Sequence, residues 1–427
     1  MRKIALISEH ASPLAQIGST DSGGQNVYVA QLSRHLARLG YVVDVFTRRD
    51  AENQEQVVEW EQNVRVIHVP AGPAQFIPKE EMLPFVDQFS RFVVRFARRQ
   101  KVPYDLFHAN FFMSGMVAQQ VKQILGIPFV MTFHALGRVR RLSQGQADSF
   151  PDVRFAIEER LMQEADRVIA ECPQDQSDME QLYGAPPERI DIVPCGFDPD
   201  EFWPDTIDAR QPLGIGKDEF VVLQLGRMVP RKGVDNVIRA VAILKHQYQV
   251  QCRLLIVGGN TPEPDPEATP ELGRMMALAE SVGITESVTF TGQRPRDQLR
   301  YFYSAANVFV TTPWYEPFGI TPLEAMACGT PVVGTAVGGI KSTVVDGETG
   351  YLVPPNDPAA LAERLAWLHD HPQIAQRLGW AGMRRAYQQF TWRNVASQVA
   401  AVYEAALSAA TLPLSPLVAS AESGIRS

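Results

Sequence analysis

The sequence predicts an α/β protein in which two doubly wound domains face one cleft. Short apolar runs rich in Val and Ile alternate with longer stretches, such as 25–39 and 234–245, whose apolar residues recur at helical spacing. This alternation is typical of buried parallel strands joined by helices. The chain has 427 residues, which is too long for one ordinary hydrophobic core. The segment 202–218 is rich in Pro and Gly and lacks periodicity, so we predict a linker there.

The apolar runs define the predicted strands in chain order. In the first domain these are residues 3–8, 42–47, 64–69, 106–109, 129–133 and 167–170. In the second domain they are residues 221–225, 253–257, 288–291, 308–311 and 331–334. The predicted domains are 1–208 and 209–389, followed by a helix over 390–410 and a small, polar, disordered tail at 411–427. Ligands of such sheets bind at the carboxyl ends of the strands, so functional residues are expected there.

Composition excludes several classes of protein. The net charge of -8 argues against nucleic acid or an anionic membrane as the main partner. Cys172, Cys195, Cys252 and Cys328 lie far apart, which indicates neither a zinc site nor a disulfide framework and favours a reducing compartment. The N-terminal apolar run is a strand rather than a signal peptide, and no run approaches the ~20 apolar residues of a membrane span. We therefore expect a cytoplasmic protein.

The first candidate motif is DSGGQNVY at residues 21–28, between the first strand and the first helix. Gly23 and Gly24 lack side chains, so backbone N–H groups at the helix start can approach a phosphate. A plain turn between strand and helix explains the motif equally well. The spacing lacks the full G-x-G-x-x-G pattern, which disfavours a dinucleotide cofactor site.

The second motif is GRMVPRKG at residues 226–233, at the carboxyl end of the first strand of the second domain. Arg227 can form a fork of hydrogen bonds with a diphosphate, and Lys232 adds a point charge. Fixed cations stabilise a departing diphosphate more in the transition state than in the ground state. The alternative is a solvated basic loop.

The third motif, EPFGITPLE at residues 316–324, is the most specific. Glu316 lies on a loop where it can contact a transferred sugar, and Glu324 lies about one turn into a helix where it can accept hydrogen bonds from a ribose diol. The free backbone amides of the helix start, offered by Phe318, Gly319, Ile320 and Thr321, suit phosphate or sugar oxygens. The alternative is that both glutamates only complement the helix dipole.

The fourth motif is TFHALGRVRR at residues 132–141, after a strand of the first domain. His134 ends that strand on the cleft side, although a lone histidine is as often structural. Basic residues cluster here in an otherwise acidic protein, which suggests an acceptor that carries phosphate; they are Arg138, Arg140, Arg141 and Arg154.

Together these motifs resemble the retaining glycosyltransferases of family four, which have the GT-B fold. The resemblance extends over about residues 1–407 and implies that the final helix crosses back onto the first domain. It implies a donor site of Gly23, Gly24, Arg227, Lys232, Arg294, Glu316, Phe318, Gly319, Ile320, Thr321 and Glu324. His134, Arg227, Lys232 and Glu316 would be catalytic, with His134 binding a hydroxyl of the transferred sugar. The resemblance implies no metal and no cofactor beyond the nucleotide-sugar co-substrate.

Within the family, the motifs resemble those of the sucrose-phosphate synthases. DSGGQNVYVAQL, HALGRVRR and EPFGITPLEAMACGTP each match a motif of those enzymes. The resemblance implies an acceptor site for fructose 6-phosphate made of Gly24, Gln25, Lys79, Arg140 and Arg154. Two departures are the arginine at position 140, where those enzymes have lysine, and Asn110-Phe111, where they have a tyrosine-containing segment.

A rival resemblance is to the transferases that move N-acetylglucosamine from UDP to inositol phosphate. They share NVYV after the glycines and the segment at 71–79, but usually have methionine where this chain has Gln25. Both interpretations imply small-molecule substrates and a phosphorylated acceptor. The motifs do not distinguish UDP from ADP or GDP as the donor nucleotide, and they leave the oligomeric state open.

The leading hypothesis is therefore glucose transfer from UDP-glucose to fructose 6-phosphate with retention of configuration. A nucleotide-sugar sensor without turnover is a second class, and the intact set of charged donor residues argues against it. A peripheral membrane enzyme acting on lipid is a third class, which would require an amphipathic helix that the sequence does not indicate.

Overall fold

A computed structural model of the protein describes residues 1–15, 23–145, 148–205 and 209–411. Each half of the chain forms one parallel sheet flanked by helices. Within the described residues, no helix is both long enough and apolar enough to cross a bilayer.

The first half of the chain builds a sheet in the order β3-β4-β2-β1-β5-β6-β7-β8, parallel except for the β3–β4 pair. Its strands are β1 (Lys3–Ile7), β2 (Val42–Arg48), β3 (Val57–Glu61), β4 (Val64–Val69), β5 (Leu106–Asn110), β6 (Phe129–Thr132), β7 (Arg167–Ala170) and β8 (Ile190–Ile192). Its helices are α1 (Gly24–Arg38), α2 (Val86–Arg98), α3 (Phe112–Leu125), α4 (Gly137–Gln144), α5 (Val153–Glu164) and α6 (Pro173–Tyr183).

The second half builds a parallel sheet in the order β11-β10-β9-β12-β13-β14. The order in which the chain adds strands to this sheet reverses between β9 and β12. Its strands are β9 (Phe220–Leu225), β10 (Cys252–Val257), β11 (Val288–Gly292), β12 (Val308–Thr311), β13 (Val332–Thr335) and β14 (Gly350–Val353). Its helices are α7 (Val234–His246), α8 (Pro270–Ser281), α9 (Arg296–Ala305), α10 (Ile320–Ala327), α11 (Ile340–Thr343), α12 (Pro358–Asp370) and α13 (Pro372–Gln389), and the last helix is α14 (Trp392–Thr411).

The final helix leaves the second half and packs on the first, against α1, β6 and β7. The chain crosses beside Gly196, where Phe197 N donates to Phe390 O at 2.9 Å and Trp392 N donates to Phe197 O at 3.0 Å. A Cβ atom at position 196 would lie 2.9 Å from Phe390 O, so only glycine permits this close approach. The returning helix follows the expectation drawn from the family resemblance.

Three strands are absent from the sequence prediction, and each has a physical reason. β3 is antiparallel, lies at the edge of its sheet and alternates half-buried with exposed residues. β8 has only 3 residues, and β14 begins at Gly350, which has low strand propensity. The tail was predicted at 411–427, but Thr411 is the last residue of α14 and the other residues of the tail lie outside the described residues. The predicted boundary at residue 208 also lies outside them, and the domain boundaries stay predictions.

Candidate active site

A cleft of about 430 Å³ lies between the two halves, at the carboxyl ends of their strands. It is the place that a doubly wound sheet offers for a ligand. Of the residues predicted to bind substrate, the cleft is lined by Gly23, Gly24, Gln25, Lys79, His134, Arg140, Arg227, Lys232, Arg294, Glu316, Phe318, Gly319, Ile320, Thr321 and Glu324. Arg154 is not among the lining residues. The assignment of each residue to a ligand stays a prediction.

The glycine turn of the first half faces the second half of the chain directly. A Cβ atom at Gly23 would lie 3.8 Å from Arg227 Cδ, and one at Gly24 would lie 3.7 Å from Ile320 Cδ1. Asn26 N and Val27 N already donate to the carbonyl oxygen of Gly23, so the helix-start amides that can face an anion in the cleft are those of Gly24 and Gln25. The turn therefore brings a helix start of the first half beside the second motif.

Gln25 is held in the first turn of α1 by two hydrogen bonds. Its Nε2 donates to Ser8 Oγ at 3.1 Å and to the carbonyl oxygen of Asn110 at 3.3 Å. Ser8 and Asn110 follow β1 and end β5, two neighbouring strands. The amide of Gln25 thus has a defined orientation at the cleft.

His134 follows β6 and has a left-handed backbone, with φ of 59°. This conformation is rare for a residue other than glycine and is enriched at functional sites. Its Nδ1 lies 2.9 Å from Glu171 Oε1 and its Nε2 lies 3.0 Å from Asn110 Oδ1. The ring also packs edge-on against Tyr28, at 4.7 Å between centroids. The ring is therefore fixed by three residues from three elements.

The predicted basic group divides into one cleft residue and three residues elsewhere. Arg140 lines the cleft and pairs with Asp148 at 2.9 Å, whereas Arg138 and Arg141 pair with the carboxylates of Glu159 and Asp152. These pairs absorb most of the local positive charge, which sequence reasoning could not foresee.

Arg154 has no exposed surface. Its Nε donates to Glu158 Oε1 at 2.7 Å, and its Nη2 donates to the carbonyl oxygen of Ala135. Its guanidinium also stacks against three aromatic rings, which belong to Phe111, Phe112 and Phe150. The structure therefore does not bring Arg154 to the cleft surface, because Glu158 and the rings hold it in the core behind Ala135.

The cations of the second motif meet the first glutamate of the third motif. Lys232 Nζ forms an ion pair with Glu316, and Arg231 Nη1 lies 3.7 Å from Glu316 Oε2. Burial lowers the pKa of Lys232 despite the neighbouring carboxylate. Burial also raises the pKa of Glu316, but Lys232, Arg231 and Arg227 outweigh it, so the pKa lies below its ordinary value. The carboxylate of Glu316 is therefore ionised at neutral pH.

Gly233 makes this arrangement of Lys232 possible. It has φ of 64°, and a Cβ atom there would lie 2.0 Å from the carbonyl oxygen of Thr312. The turn that carries Lys232 can thus close against the end of β12, which leads to Glu316.

The third motif places Gly319 at the start of α10 with φ of 89°, directly before Ile320 and Thr321. Glu324 lies in the first turns of α10 and is 2% exposed. Its Oε1 lies 2.8 Å from Arg296 Nη1, and its Oε2 accepts a hydrogen bond from Tyr303 at 2.9 Å. A polyol that binds Glu324 would thus meet a carboxylate whose position is already fixed.

Arg294 lines the cleft opposite α10. Its Nη1 donates to the carbonyl oxygens of Pro262 at 2.7 Å and Gln293 at 3.2 Å. These bonds tether the guanidinium to two loops at the end of the second sheet.

Sequence reasoning missed several residues that hold the site together. Glu171 directly follows the strand predicted over 167–170, and the rule that selected His134 could have found it. Arg231 lies inside the second motif and was passed over in favour of Lys232. Asn110 directly follows the strand predicted over 106–109, so the same rule could have found it. Arg296 carries no sequence signal, since only the fold brings it to Glu324. Among the described residues, no three His, Cys, Asp or Glu side chains group as a metal ion requires.

Comparisons with known proteins agree with this geometry. Residues 22–201 match the model of Glycosyltransferase Family 4, and residues 205–385 match that of Glycosyl transferases group 1. The chain is 36% identical to a D-inositol 3-phosphate glycosyltransferase of Corynebacterium efficiens, over 95% of this chain and 96% of that protein. It is 37% identical to the enzyme of that name from Kribbella flavida, over 95% of this chain and 96% of that protein.

Among solved structures, the chain is similar to a sucrose-phosphate synthase from Thermosynechococcus elongatus. The TM-score is 0.87 and the identity 36%, and the match covers 96% of this chain and 100% of that chain. The predicted fold class, two Rossmann-like sheets in a GT-B arrangement, is confirmed.

Proposed function

Because the chain belongs to the group 1 glycosyltransferases of family 4, we propose that it transfers glucose from UDP-glucose to fructose 6-phosphate. The products are sucrose 6-phosphate and UDP, and the α configuration of glucose is retained. The observation that carries this proposal is the charge cluster of Lys232, Arg231 and Glu316 on the second half, which lines one cleft together with the glycine turn of the first.

The donor half of the proposal follows from those charges. Arg227 and Lys232 would bind the diphosphate, and Glu324 would accept hydrogen bonds from the ribose diol. Glu316 would contact the transferred glucose, since it lies on the loop before α10 and beside Lys232. Cations fixed in a cleft lower the energy of a leaving group that gains negative charge.

The chemical step needs little covalent participation by the protein. The fructose hydroxyl attacks the anomeric carbon on the face that the diphosphate leaves, so the new C–O bond forms where the old one breaks. The departing phosphate oxygen takes the proton of that hydroxyl. The protein contributes orientation of both substrates and stabilisation of the diphosphate charge.

The acceptor half rests on Gln25, Lys79 and Arg140, which line the cleft on the first half of the chain. Lys79 and Arg140 supply positive charge for a sugar phosphate, and the fixed amide of Gln25 suits a sugar hydroxyl. The similarity to a sucrose-phosphate synthase, at 36% identity over that whole chain, favours fructose 6-phosphate.

The second candidate is N-acetylglucosamine transfer from a UDP donor to inositol phosphate. It is favoured by the curated relatives named above, which are D-inositol 3-phosphate glycosyltransferases at 36% and 37% identity. The same cationic groups would hold the phosphate of inositol. The two candidates differ in the acceptor and in the substituent at the second carbon of the donor sugar.

A grid of donors and acceptors tests the proposal. The purified protein is incubated with UDP-glucose, ADP-glucose or UDP-N-acetylglucosamine, and with fructose 6-phosphate or inositol 3-phosphate, and the products are identified by mass spectrometry and NMR. We expect sucrose 6-phosphate with UDP-glucose, with its glucosyl anomeric proton in the α configuration. Turnover of inositol 3-phosphate alone would establish the second candidate, and an inverted product would rule out both.

We also propose that the reaction needs no metal and no cofactor other than the nucleotide sugar, because cationic side chains already face the leaving group. The measurement is the initial rate before and after treatment with EDTA and desalting. An unchanged rate is expected, and a loss restored by added Mg²⁺ would overturn this point.

A further inference from the structure

The ring of His134 is held by two hydrogen bonds whose directions reveal its protonation. Nδ1 lies 2.9 Å from Glu171 Oε1, and Nε2 lies 3.0 Å from Asn110 Oδ1. A neutral imidazole donates from one nitrogen and accepts at the other, whereas an imidazolium donates from both. The nature of each partner atom therefore decides which form the site holds.

The amide of Asn110 has one favourable orientation. Its Nδ2 lies 3.3 Å from the carbonyl oxygen of Ile7 and 3.4 Å from that of His108, so it donates toward both. If the amide oxygen and nitrogen were exchanged, Oδ1 would face these two carbonyl oxygens. Neither of them carries a hydrogen, so no hydrogen bond could form. Asn110 therefore presents Oδ1 to His134, and the Nε2 atom must carry the hydrogen of this bond.

Glu171 contacts the other nitrogen of the ring, Nδ1, and its carboxylate requires a hydrogen on that atom as well. Its Oε1 also accepts a hydrogen bond from the thiol of Cys195, at 3.2 Å. Burial, followed by the charge of Glu171, raises the pKa of that thiol well above its ordinary range, so the sulfur keeps its proton. An ionised carboxylate has no hydrogen to donate, so its oxygens only accept, as Oε1 already does from Cys195. Nδ1 of His134 therefore also carries a hydrogen.

We propose that Glu171 is a positioning residue that holds His134 as a doubly protonated imidazolium at the cleft. This inference rests on the proposed function only for its consequence, which is that His134 acts toward the donor sugar as a hydrogen-bond donor. On binding, a sugar oxygen can replace Asn110 Oδ1 at Nε2 without any change in protonation. The charge of the ring stays balanced by Glu171 throughout.

The other titratable groups around this pair are consistent with one positive and one negative charge. Tyr28 and His108 are neutral, because burial raises the pKa of the Tyr28 hydroxyl well above its ordinary range and lowers that of His108 to about 3, with the charge of His134 as the second cause. Burial and then Glu171 raise the pKa of Asp175 to about 8, so this carboxyl is mostly neutral at neutral pH. From the second half, Glu316 acts on the thiol of Cys195.

The decisive measurement needs no substrate. The full-length protein is labelled with ¹⁵N-histidine, and the His134 resonances are assigned by their loss in His134→Asn. At neutral pH, long-range ¹H–¹⁵N correlation should show both ring nitrogens of His134 at the similar shifts of an imidazolium. A ring with one protonated and one bare nitrogen would overturn the proposal. Because the spectrum is independent of turnover, failure of the proposed function leaves this result intact.

The variant Glu171→Gln separates charge from geometry, since its amide oxygen can still accept from Nδ1. We expect the His134 ring to become neutral at neutral pH in this variant. The alkaline limb of kcat/KM should move about one pH unit or more toward acid, as expected for the loss of an opposite charge within hydrogen-bond distance.

Glu180→Gln is the matched control, because Glu180 lies on α6 away from the cleft and only accepts from Gln176, at 2.8 Å. Its spectrum and pH profile should equal those of the unaltered protein. If Glu171→Gln also leaves the His134 shifts unchanged, Glu171 is only a structural partner and the proposal fails. The spectrum of the unaltered protein decides the protonation state even if this variant does not fold.

Discussion

At the scale of single residues, the cleft depends on charges that are already paired before any ligand arrives. Burial lowers the pKa of Lys232, whose Nζ pairs with Glu316. Glu316 remains an anion because three cations outweigh its burial. Truncating Glu316 would leave the buried Lys232 without its paired carboxylate, which costs more than a surface ion pair is worth.

Lys232→Ala should reduce kcat by about 10²–10³-fold, the loss typical of removing one group that stabilises transition-state charge. Initial rates with saturating donor and acceptor measure this effect. Lys245→Ala serves as the control and should retain full activity, because the half-buried Lys245 lies in the last turn of α7 and contacts Gly283 rather than the cleft. A protein that binds nucleotide sugar but shows no turnover before the substitution would instead be a sensor.

Asp175 gives stability an unusual dependence on pH. Burial and Glu171 raise its pKa to about 8 in the folded protein, against an ordinary value of 3.8. The folded state therefore binds a proton that the unfolded state has already released, and stability falls as pH rises from about 4 to about 8. The contribution is fully present only below the ordinary pKa.

Asp175→Asn removes this dependence and keeps an oxygen that can accept the hydrogen bond from Glu171 N. We expect the Tm of the variant to exceed that of the unaltered protein by about 2 °C or more at pH 8, and by much less at pH 5. Calorimetry at the two pH values measures the difference. An equal change at both would show that the carboxyl does not titrate in this range.

At the scale of secondary-structure elements, the chain crosses from the second half of the fold back to the first at the start of α14. Trp392 is fully buried at the first position of α14, and its ring lies 5.6 Å from that of Tyr28. Further along the same helix, the hydroxyl oxygen of Tyr403 lies 2.8 Å from Nδ1 of His108. The helix therefore supports α1 and β5, which carry Gln25 and Asn110 of the site.

Trp392→Ala should lower the free energy of unfolding by about 3–5 kcal/mol, because a large buried side chain is lost and a cavity remains. Chemical denaturation gives the value. Trp380→Ala is the matched control, since Trp380 is 61% exposed on the neighbouring helix α13. Its substitution should change stability by about 0.5 kcal/mol or less, and a similar loss in both variants would contradict the role of the crossing.

The elements of the parallel core were predictable because their residues are apolar on both faces. β1 (Lys3–Ile7) and β9 (Phe220–Leu225) show this, and both lead into motifs that the structure brings to the cleft. Edge strand β3 was missed because its exposed glutamates resemble a loop. The family resemblance and the local basic cluster both predicted Arg154 at the acceptor, and sequence could not reveal that Glu158 and aromatic rings enclose it.

At the scale of the whole molecule, one hydrophobic cluster runs through both halves. It includes Leu6 and Val45 on strands of the first sheet, Leu223 and Phe309 on strands of the second, and Trp392 at the crossing. Apolar contacts shared in this way couple the stability of the two halves. The two halves thus share an apolar core in addition to the cleft that both of them line.

Thermal unfolding should therefore give a single calorimetric transition whose calorimetric and van't Hoff enthalpies agree. The measurement is a differential scan of the protein without ligand. Two separate transitions would show that the shared cluster does not couple the halves. Added UDP should raise the transition temperature if it binds the folded state alone.

The pairing of Lys232 with Glu316 also affects which molecules can bind in the cleft. A lone anion such as orthophosphate must compete with a carboxylate already in place, and it leaves that carboxylate with no new partner. A nucleotide sugar brings phosphate oxygens for the lysine and hydroxyl groups for the glutamate, so both ends of the broken pair are satisfied in one binding event. We therefore expect the cleft to bind orthophosphate more weakly than a nucleotide sugar.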